Sequence, residues 1–209
     1  MSLSELEAVS HMSRRRSSGA VINYRRVAKA IKKYQKIGYT YIDTPWLVSD
    51  EAMLATLPSH RKGFELGHST LKPGKLVGSA EQGFIQLMLD EKIQPGNYVS
   101  AGPCFRDEEN VDALHQYAFF KVELIQIIHP RDPMPTHGAA RVMANDADEV
   151  LYNMYGPGAQ VVRTPEGWDI EVEGVEIGSY GVREYKGHRW VYGTGLALPR
   201  THIAYKVRE

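Results

Sequence analysis

An arginine and a phenylalanine stand at opposite ends of a polar, charged loop that joins two strand-like segments. Arg106 follows the first segment, residues 98–105, and Phe119 lies near the start of the second, residues 117–128. A guanidinium group presents a planar fork that matches a phosphate or a carboxylate. The ring of Phe119 offers a flat face to a base. The loop is longer than a tight hairpin requires, which is typical of a loop that reaches a ligand.

Alternation along the second segment predicts which side chains share a surface. Residues two apart on a strand face the same way, so we expect Phe119, Lys121 and Glu123 to line one face. A phosphate fork, an aromatic platform and a carboxylate together indicate a nucleotide site. For these residues taken alone, a half-buried hairpin with an internal salt bridge and no ligand is the alternative.

The whole segment resembles motif 2 of the class II aminoacyl-tRNA synthetases. That motif has an aromatic residue, arginine, any residue and glutamate, then a loop, then histidine or arginine, phenylalanine and an acid at four-residue steps. Residues 105–108, Phe-Arg-Asp-Glu, match the first half. His115, Phe119 and Glu123 match the second half with the family spacing.

The resemblance to motif 2 implies a role for each matching residue. Arg106 and Glu108 are expected in the catalytic machinery. His115 is expected to contact the γ-phosphate of ATP, and Phe119 to carry the adenine. Glu123 is expected in the amino-acid site.

Near the end of the chain, residues 190–200 resemble motif 3 of the same family, a glycine-rich strand that enters a helix and ends in arginine. Gly193 and Gly195 are expected to let the backbone approach the nucleotide closely. Arg200 is expected to bind the γ-phosphate. The third family glycine is replaced by Ala197.

The segment before motif 3, residues 174–184, resembles the family strand whose acid binds the magnesium that bridges the ATP phosphates. The resemblance implies that Glu176 is the metal ligand, with Ser179 assisting, and oxygen ligands suit this hard cation. The residue pattern Glu-Ile-Gly-Ser…Arg-Glu in this segment is similar to that of the aspartyl, asparaginyl and lysyl subgroup of the family. In that subgroup Arg183 would bind the substrate side chain; a surface salt bridge is the alternative.

Residues 78–81, Gly-Ser-Ala-Glu, stand where the family carries the loop that helps hold the amino acid. The resemblance implies that Ser79 and Glu81 belong to the amino-acid site, with Glu81 facing the substrate ammonium. From the residues alone, Ser79 is a helix N-cap and Glu81 an acid that favours the helix dipole. Both roles can hold at once.

Residues 38–45, from Gly38 to Pro45, resemble motif 1, which builds the dimer interface in this family. We therefore expect a homodimer through this region. By itself the pattern of glycine, aromatic strand and proline is common in proteins that mix helices and strands.

Hydrophobic spacing predicts the elements that position these residues. Helices are expected at residues 21–37, from Ser79 to residue 89, and at 136–152, and a hairpin at 160–173 around a Thr-Pro-Glu-Gly turn. This order supports only a mixture of α and β structure. The resemblance implies an α+β fold, a six- or seven-stranded antiparallel sheet flanked by helices.

Composition limits the class of protein. With 209 residues, 43% of them hydrophobic, the chain can form one domain with a sizeable core. No apolar run is long enough to cross a membrane, and the single cysteine, Cys104, excludes an internal disulfide. We expect a cytoplasmic protein with a flexible basic arm at residues 1–20 and a catalytic domain at 21–209. The formal net charge is zero, although the first part of the chain is locally basic.

The resemblance implies an ATP- and Mg²⁺-dependent ligase that activates an amino acid as its adenylate. We expect a stand-alone catalytic core, since the sequence leaves no room for the family's anticodon-binding domain. One alternative is an asparagine-type synthetase that passes an aspartyl-adenylate to ammonia. Another is a regulatory paralogue that binds nucleotide or amino acid without catalysis. The acceptor, whether tRNA or another molecule, stays open.

Overall fold

The computed structural model describes residues 22–56, 64–65, 74–106, 108 and 111–207, and at residues 64–65 it describes the backbone alone. The predicted arm at residues 1–20 lies outside the described residues. Within them, no helix combines the length and apolar composition needed to cross a bilayer. The helices are α1 (Tyr24–Lys36), α2 (Asp50–Leu54), α3 (Ala80–Leu89), α4 (His137–Tyr155) and α5 (Arg200–Ala204).

Strands form two sheets. The larger sheet has seven strands in the order β1-β5-β6-β10-β9-β8-β7, and the smaller one has the order β2-β4-β3. All pairs in the larger sheet are antiparallel except β1 with β5, which is parallel. The strands are β1 (Thr40–Tyr41), β2 (Leu47–Val48), β3 (Phe64–Glu65), β4 (Lys75–Leu76), β5 (Gly96–Phe105), β6 (Ala118–Ile127), β7 (Ala159–Arg163), β8 (Gly167–Val172), β9 (Val175–Tyr185) and β10 (His188–Leu198).

Strand β6 separates two hydrophobic layers. Val122 and Leu124 pack in one cluster with Ala147 of α4, on the face that α1 and α4 cover. Ile125 packs in a second cluster with Phe84 of α3, on the opposite face. The predicted alternation is therefore confirmed, and the odd-numbered residues of β6 face the side of the sheet that carries α3.

Helix α1 is anchored to the sheet by its apolar stripe. Asn23 caps the helix by accepting a hydrogen bond from the Arg26 N–H at 3.2 Å, which explains why the helix begins later than the predicted residue 21. Val27 and Tyr34 are buried, and the Tyr34 hydroxyl donates to the carbonyl of Gly195 at 2.8 Å. The helix is thereby fixed to the glycine-rich strand.

The strand predicted after Gly38 is shorter than expected. Only Thr40 and Tyr41 form β1, at the edge of the larger sheet. Beyond them the chain turns inward, where the buried hydroxyls of Thr44 and Ser100 lie 3.0 Å apart. The predicted hairpin is confirmed as β7 and β8, and the predicted sheet as one of seven strands.

Candidate nucleotide and amino-acid site

Arg106 lies just past the end of β5, at the base of the motif 2 loop. Its backbone N–H donates to the carbonyl of Tyr117 at 3.0 Å, and its Nε donates to the carbonyl of Gly78 at 3.2 Å. The guanidinium carbon lies 5.1 Å from the centroid of the Phe119 ring. The expected phosphate fork and the expected aromatic platform are thus in direct contact, as a cation–π pair.

Arg200 begins helix α5 directly after β10 and reaches the same loop. Its Nη2 donates to the carbonyl of Leu114 at 3.3 Å, and its Nη1 lies 3.8 Å from Glu176 Oε1. Arg106 and Arg200 therefore both contact the short segment that leads into β6. Because β5 and β10 are the two neighbours of β6, the two arginines flank one end of the sheet.

The motif 2 loop is organised around Asp112. This carboxylate accepts hydrogen bonds from the N–H groups of Leu114 and His115, and the His115 ring nitrogen Nδ1 lies 3.0 Å from it. These bonds to the charged form lower the pKa of Asp112, with the His115 ring the largest contributor. The His115 ring is exposed beside the segment that Arg200 contacts, and Glu108 is half-buried in the same loop. Their roles stay predictions.

Glu123 is a buried carboxylate at the centre of the site face, with 5% of its surface exposed. Both of its oxygens accept from the Ser79 hydroxyl at 2.8 Å, and Oε2 also accepts from the Ala80 N–H. The Lys121 ammonium lies 2.9 Å from Oε1. Sequence reasoning placed Ser79 and Glu123 in the same amino-acid site, and the structure brings them together.

Lys121 stabilises the ionised form of the buried Glu123 carboxylate. Burial alone would raise the pKa of Glu123, but the neighbouring ammonium of Lys121 and the hydrogen bonds from Lys121 and Ser79 outweigh it and lower that pKa. The same ammonium lies 3.3 Å from Thr194 Oγ1 of β10. Lys121 therefore links the motif 2 strand to the glycine-rich strand through a single charged group.

Glu81, at the start of α3, forms a second buried ion pair. Its Oε2 accepts from Arg183 Nη1, and its Oε1 accepts from Trp190 Nε1 at 2.7 Å. The Arg183 guanidinium lies 4.1 Å from the centroid of the Tyr192 ring. The residue expected to face the substrate ammonium and the residue expected to bind its side chain thus contact each other.

Burial raises the pKa of Glu81, because desolvation outweighs the favourable contacts with Arg183 and Trp190, and the negative charge of Glu123 acts in the same direction. Burial alone would lower the pKa of Arg183, but the neighbouring carboxylate of Glu81 outweighs it and raises that pKa, which keeps the guanidinium charged. About a third of the Arg183 side chain stays exposed, whereas Glu81 is nearly enclosed. A ligand would therefore meet Arg183 first.

The two residues expected to bind magnesium, Glu176 and Ser179, both lie on β9, beside Asp169 of the neighbouring strand β8. Ser179 is paired across the strands with Asp169 and hydrogen-bonds to it. Burial raises the pKa of Asp169, and the nearby charge of Glu176 raises it further. Within the described ranges, no group of three or more His, Cys, Asp or Glu side chains could hold a metal by itself. One or two oxygen ligands beside a triphosphate are what Mg²⁺ uses, so Glu176 and Ser179 suit it.

The glycines of β10 have a structural role that the sequence did not indicate. A Cβ atom at Gly193 would lie 2.3 Å from the Tyr180 ring, and one at Gly195 would lie 2.8 Å from the Tyr34 ring. The space that both glycines leave is filled by core side chains on the helical face. Ala197 lies opposite Lys121, so its methyl group points to the site face. Binding of ATP by these glycines stays a prediction.

Several residues of the site were not expected from the sequence. Thr194, Trp190 and Tyr192 alternate along β10 and therefore share the face of Lys121. The alternation alone could have placed them on one surface. The contact of Trp190 with Glu81 joins distant parts of the chain, and no local pattern encodes it.

Comparison with known proteins finds serine–tRNA ligases among the relatives of the chain. The chain is 29% identical over 212 residues to a serine–tRNA ligase of Thermomicrobium roseum, which covers 80% of this chain and 46% of the relative. It is 30% identical over 148 residues to the serine–tRNA ligase of Mycoplasma capricolum subsp. capricolum, which covers 66% and 33%. The chain thus spans less than half the length of these relatives. No protein-family model matches the chain.

Solved structures of class II synthetases share the architecture. A seryl-tRNA synthetase from Pyrococcus horikoshii complexed with ATP has a TM-score of 0.68 at 18% identity, over 85% of this chain and 48% of that one. A pyrrolysyl-tRNA synthetase from Desulfitobacterium hafniense has a TM-score of 0.68 at 16% identity, over 96% and 73%. The chain has the fold of a class II aminoacyl-tRNA synthetase catalytic domain.

Proposed function

We propose that the chain is an AMP-forming ligase that activates an amino acid with ATP. The observation that carries the proposal is the convergence of Arg106 and Arg200 on one loop segment beside Phe119. Two guanidinium groups at one end of a sheet, next to an aromatic face, suit a triphosphate and its purine. Similarity to serine–tRNA ligases supports the same reaction class.

The reaction requires no protein nucleophile. A carboxylate oxygen of the amino acid attacks the α-phosphorus of ATP and forms the acyl-phosphate bond. The bond from that phosphorus to the bridging oxygen breaks, and pyrophosphate leaves with the bonding electrons. Arg106 and Arg200 stabilise the negative charge that moves onto the leaving group, so the protein acts by positioning and electrostatics.

The adenine of ATP cannot stack on the face of the Phe119 ring that the Arg106 guanidinium occupies. The guanidinium now lies over that ring. We infer that ATP binding moves Arg106 from the ring to a phosphate, while its backbone N–H keeps its bond to Tyr117. Exchange of a cation–π contact, about 0.5–1 kcal/mol at an exposed site, for a charge-assisted bond to phosphate is favourable.

Magnesium would be held by Glu176, with Ser179 beside it. When bound, the ion supplies charge neutralisation and fixes the orientation of the phosphates. Arg200 Nη1 lies 3.8 Å from Glu176 Oε1, so Arg200 would be available to the γ-phosphate if Glu176 held the metal instead.

The amino-acid end of the site is formed by the two buried ion pairs. Glu81 is proposed to bind the substrate ammonium and Arg183 to meet the substrate side chain. Because the relatives are serine–tRNA ligases, serine is the first substrate to test. The partly exposed guanidinium of Arg183 makes aspartate the second, in line with the subgroup suggested by residues 174–184.

Amino-acid-dependent exchange of labelled pyrophosphate into ATP, with each of the twenty amino acids, tests the proposal. Exchange with one or a few amino acids is expected. Arg106→Ala should lower kcat/KM for exchange by about a hundredfold, since loss of a central electrostatic donor costs about 3 kcal/mol. ATP binding without any exchange would identify the regulatory paralogue instead. AMP release that requires both aspartate and ammonia would identify the amide-forming synthetase.

We also propose that two copies associate through residues 38–45. Strand β1 is the edge of the larger sheet, and the side chains of Tyr41 and Trp46 are exposed next to it, Trp46 at 56%. An unprotected edge with exposed aromatic side chains suits an interface between copies. In sedimentation experiments the wild type should behave as a dimer. The Trp46→Asp variant should shift toward the monomer.

A further inference from the structure

Helix α1 carries a row of cations on the face that points away from the sheet. Arg25, Lys29, Lys32 and Lys36 follow one another at spacings of four, three and four residues, which places them on one stripe of the helix. All four are exposed. With a rise of 1.5 Å per residue, the row is about 16 Å long. We call these four residues the α1 basic row.

The α1 basic row has no internal counter-charge. Within the described part of the chain, none of these four residues forms a salt bridge. Helix α1 itself contains no acidic residue. The chain as a whole is neutral, so the row is a local concentration of positive charge.

The charges of the row oppose the stability of their own helix. Arg25 and Lys29, and likewise Lys32 and Lys36, are like charges four residues apart, which costs about 0.2–0.5 kcal/mol per pair. Arg25 also lies in the first turn, where the helix dipole disfavours a cation, and that turn has no acid. Lys36 lies in the last turn, where the dipole favours a cation, but the repulsion within the two pairs remains, and a bound polyanion would relieve it.

The chemistry of the row favours a phosphate backbone over a membrane surface. Val27, Ala30 and Tyr34 of α1 are buried against the sheet and Ile31 packs on the same core, so the apolar stripe of the helix is not available to insert into lipid. Cations at regular short intervals along a rigid rod match the regular phosphates of a nucleic acid.

The row starts at the end of the sheet that carries the candidate site. Tyr24, which precedes Arg25, has its ring 5.6 Å from Phe120 in an edge-on contact. Phe120 pairs with Leu198, two residues before Arg200. A ligand that follows the row toward its N-terminal end therefore arrives at the end of the sheet where the site lies.

We propose that the α1 basic row is an RNA-binding surface that contacts the backbone phosphates of the acceptor. The identity of the polyanion as RNA rests on the proposed function, because the similar proteins are ligases that join serine to tRNA. The location of the surface rests on the row itself. Four cations that neutralise four phosphates give a slope of about −3.6 in log affinity against log salt, or roughly a hundredfold loss over a fourfold rise in salt.

The test is a titration of a fluorescein-labelled RNA hairpin with the full chain, followed by anisotropy at several KCl concentrations without ATP. Lys29→Ala/Lys32→Ala is expected to weaken binding and to reduce the magnitude of the slope by about 1.8. The matched control is Lys92→Ala/Lys186→Ala, which removes two exposed lysines that pair with Asp90 and Glu51. The control should keep the wild-type slope.

Each result decides the inference. An unchanged slope in Lys29→Ala/Lys32→Ala, or equal losses in both double variants, overturns it. Binding of polyglutamate or of phosphatidylserine vesicles in place of RNA overturns it in favour of an acidic protein or a membrane. Pyrophosphate exchange, measured on the same samples, separates the two proposals: exchange without RNA binding rejects the basic row alone, and RNA binding through the row without exchange rejects the ligase alone.

Discussion

The ammonium of Lys121 lies 2.9 Å from Glu123 Oε1, and both side chains are almost enclosed between α3 and the sheet. Two residues apart on β6, they share one face. The same ammonium reaches Thr194 on β10, so one lysine holds the buried carboxylate ionised and connects two strands of the site.

Lys121→Met is expected to destabilise the fold by about 3–5 kcal/mol, because it leaves Glu123 buried without its cation. Urea unfolding followed by circular dichroism measures this loss. Lys121→Met/Glu123→Gln should regain part of it, since no uncompensated charge is left and the amide oxygen can still accept from Ser79. If the double variant lost more unfolding free energy than the two single variants lose together, the charge-pair explanation would be contradicted.

Two neighbouring carboxylates are expected to affect the pH dependence of stability in opposite directions. The pKa of Glu123 is lowered in the folded state, so its contribution is present above the ordinary value and lost as the pH falls. The pKa of Glu81 is raised, so protonation favours the folded state and its contribution is lost as the pH rises. Unfolding free energies between about pH 3 and pH 7 test this. Glu123→Gln should make the slope of stability against pH less positive, and Glu81→Gln should make it more positive.

Arg183→Ala is expected to impair amino-acid binding selectively. The variant loses a charged group that contacts Glu81 and stacks on Tyr192. A hydrogen bond to a charged group contributes about 1.5–3 kcal/mol, so the KM for the amino acid in pyrophosphate exchange should rise roughly tenfold to a hundredfold. The KM for ATP should change little. Lys186→Ala, which removes an exposed cation paired with Glu51, is the control, and equal effects of both variants would argue against a specific role.

Local patterns determined much of the fold. Alternation on residues 117–128 placed Phe119, Lys121 and Glu123 on one face and Val122 on the other, because a strand has a period of two. The cap at Ser79 follows from its hydroxyl, which accepts from the Glu81 N–H. The antiparallel sheet was predicted from the order of the family motifs, because residue spacing alone indicated only a mixture of helices and strands.

Contacts between segments that are distant in the chain could not be predicted from the sequence. Gln82 stands three residues after the N-cap Ser79, where a capping box would form, but its side chain accepts from the Gly78 N–H at 2.7 Å. Glu81 and Arg183 were assigned separate parts of the substrate, although they form an ion pair with each other. In each case the tertiary approach of another group decides the partner, and periodicity carries no information about it.

Cys104 is expected to be inert in the folded chain. Burial raises the pKa of its thiol to about 12, and the nearby charge of Glu123 adds to the effect. Since the thiolate is the reactive form, only about one thiol in ten thousand would be ionised at pH 8. Reaction with a thiol-specific chromogenic reagent should therefore follow the rate of unfolding and be rapid only in urea. Because the chain has a single cysteine, the signal has one source. Stoichiometric reaction within seconds in native buffer would contradict the burial.

Gly193→Ala distinguishes the core role of this glycine from a role in nucleotide approach. The added methyl group would lie 2.3 Å from the Tyr180 ring and 2.8 Å from Met143 Sδ, so the core must shift. Overpacking of this kind costs about 1–3 kcal/mol, and urea unfolding of the ligand-free chain should show the loss. Ala197→Gly is the comparison, because it changes the same strand on the site face, where the expected effect of a strand glycine is about 0.5–1 kcal/mol. Unchanged stability of Gly193→Ala together with weaker ATP binding would mean that the glycine serves the nucleotide and that the contacts with Tyr180 and Met143 relax at little cost.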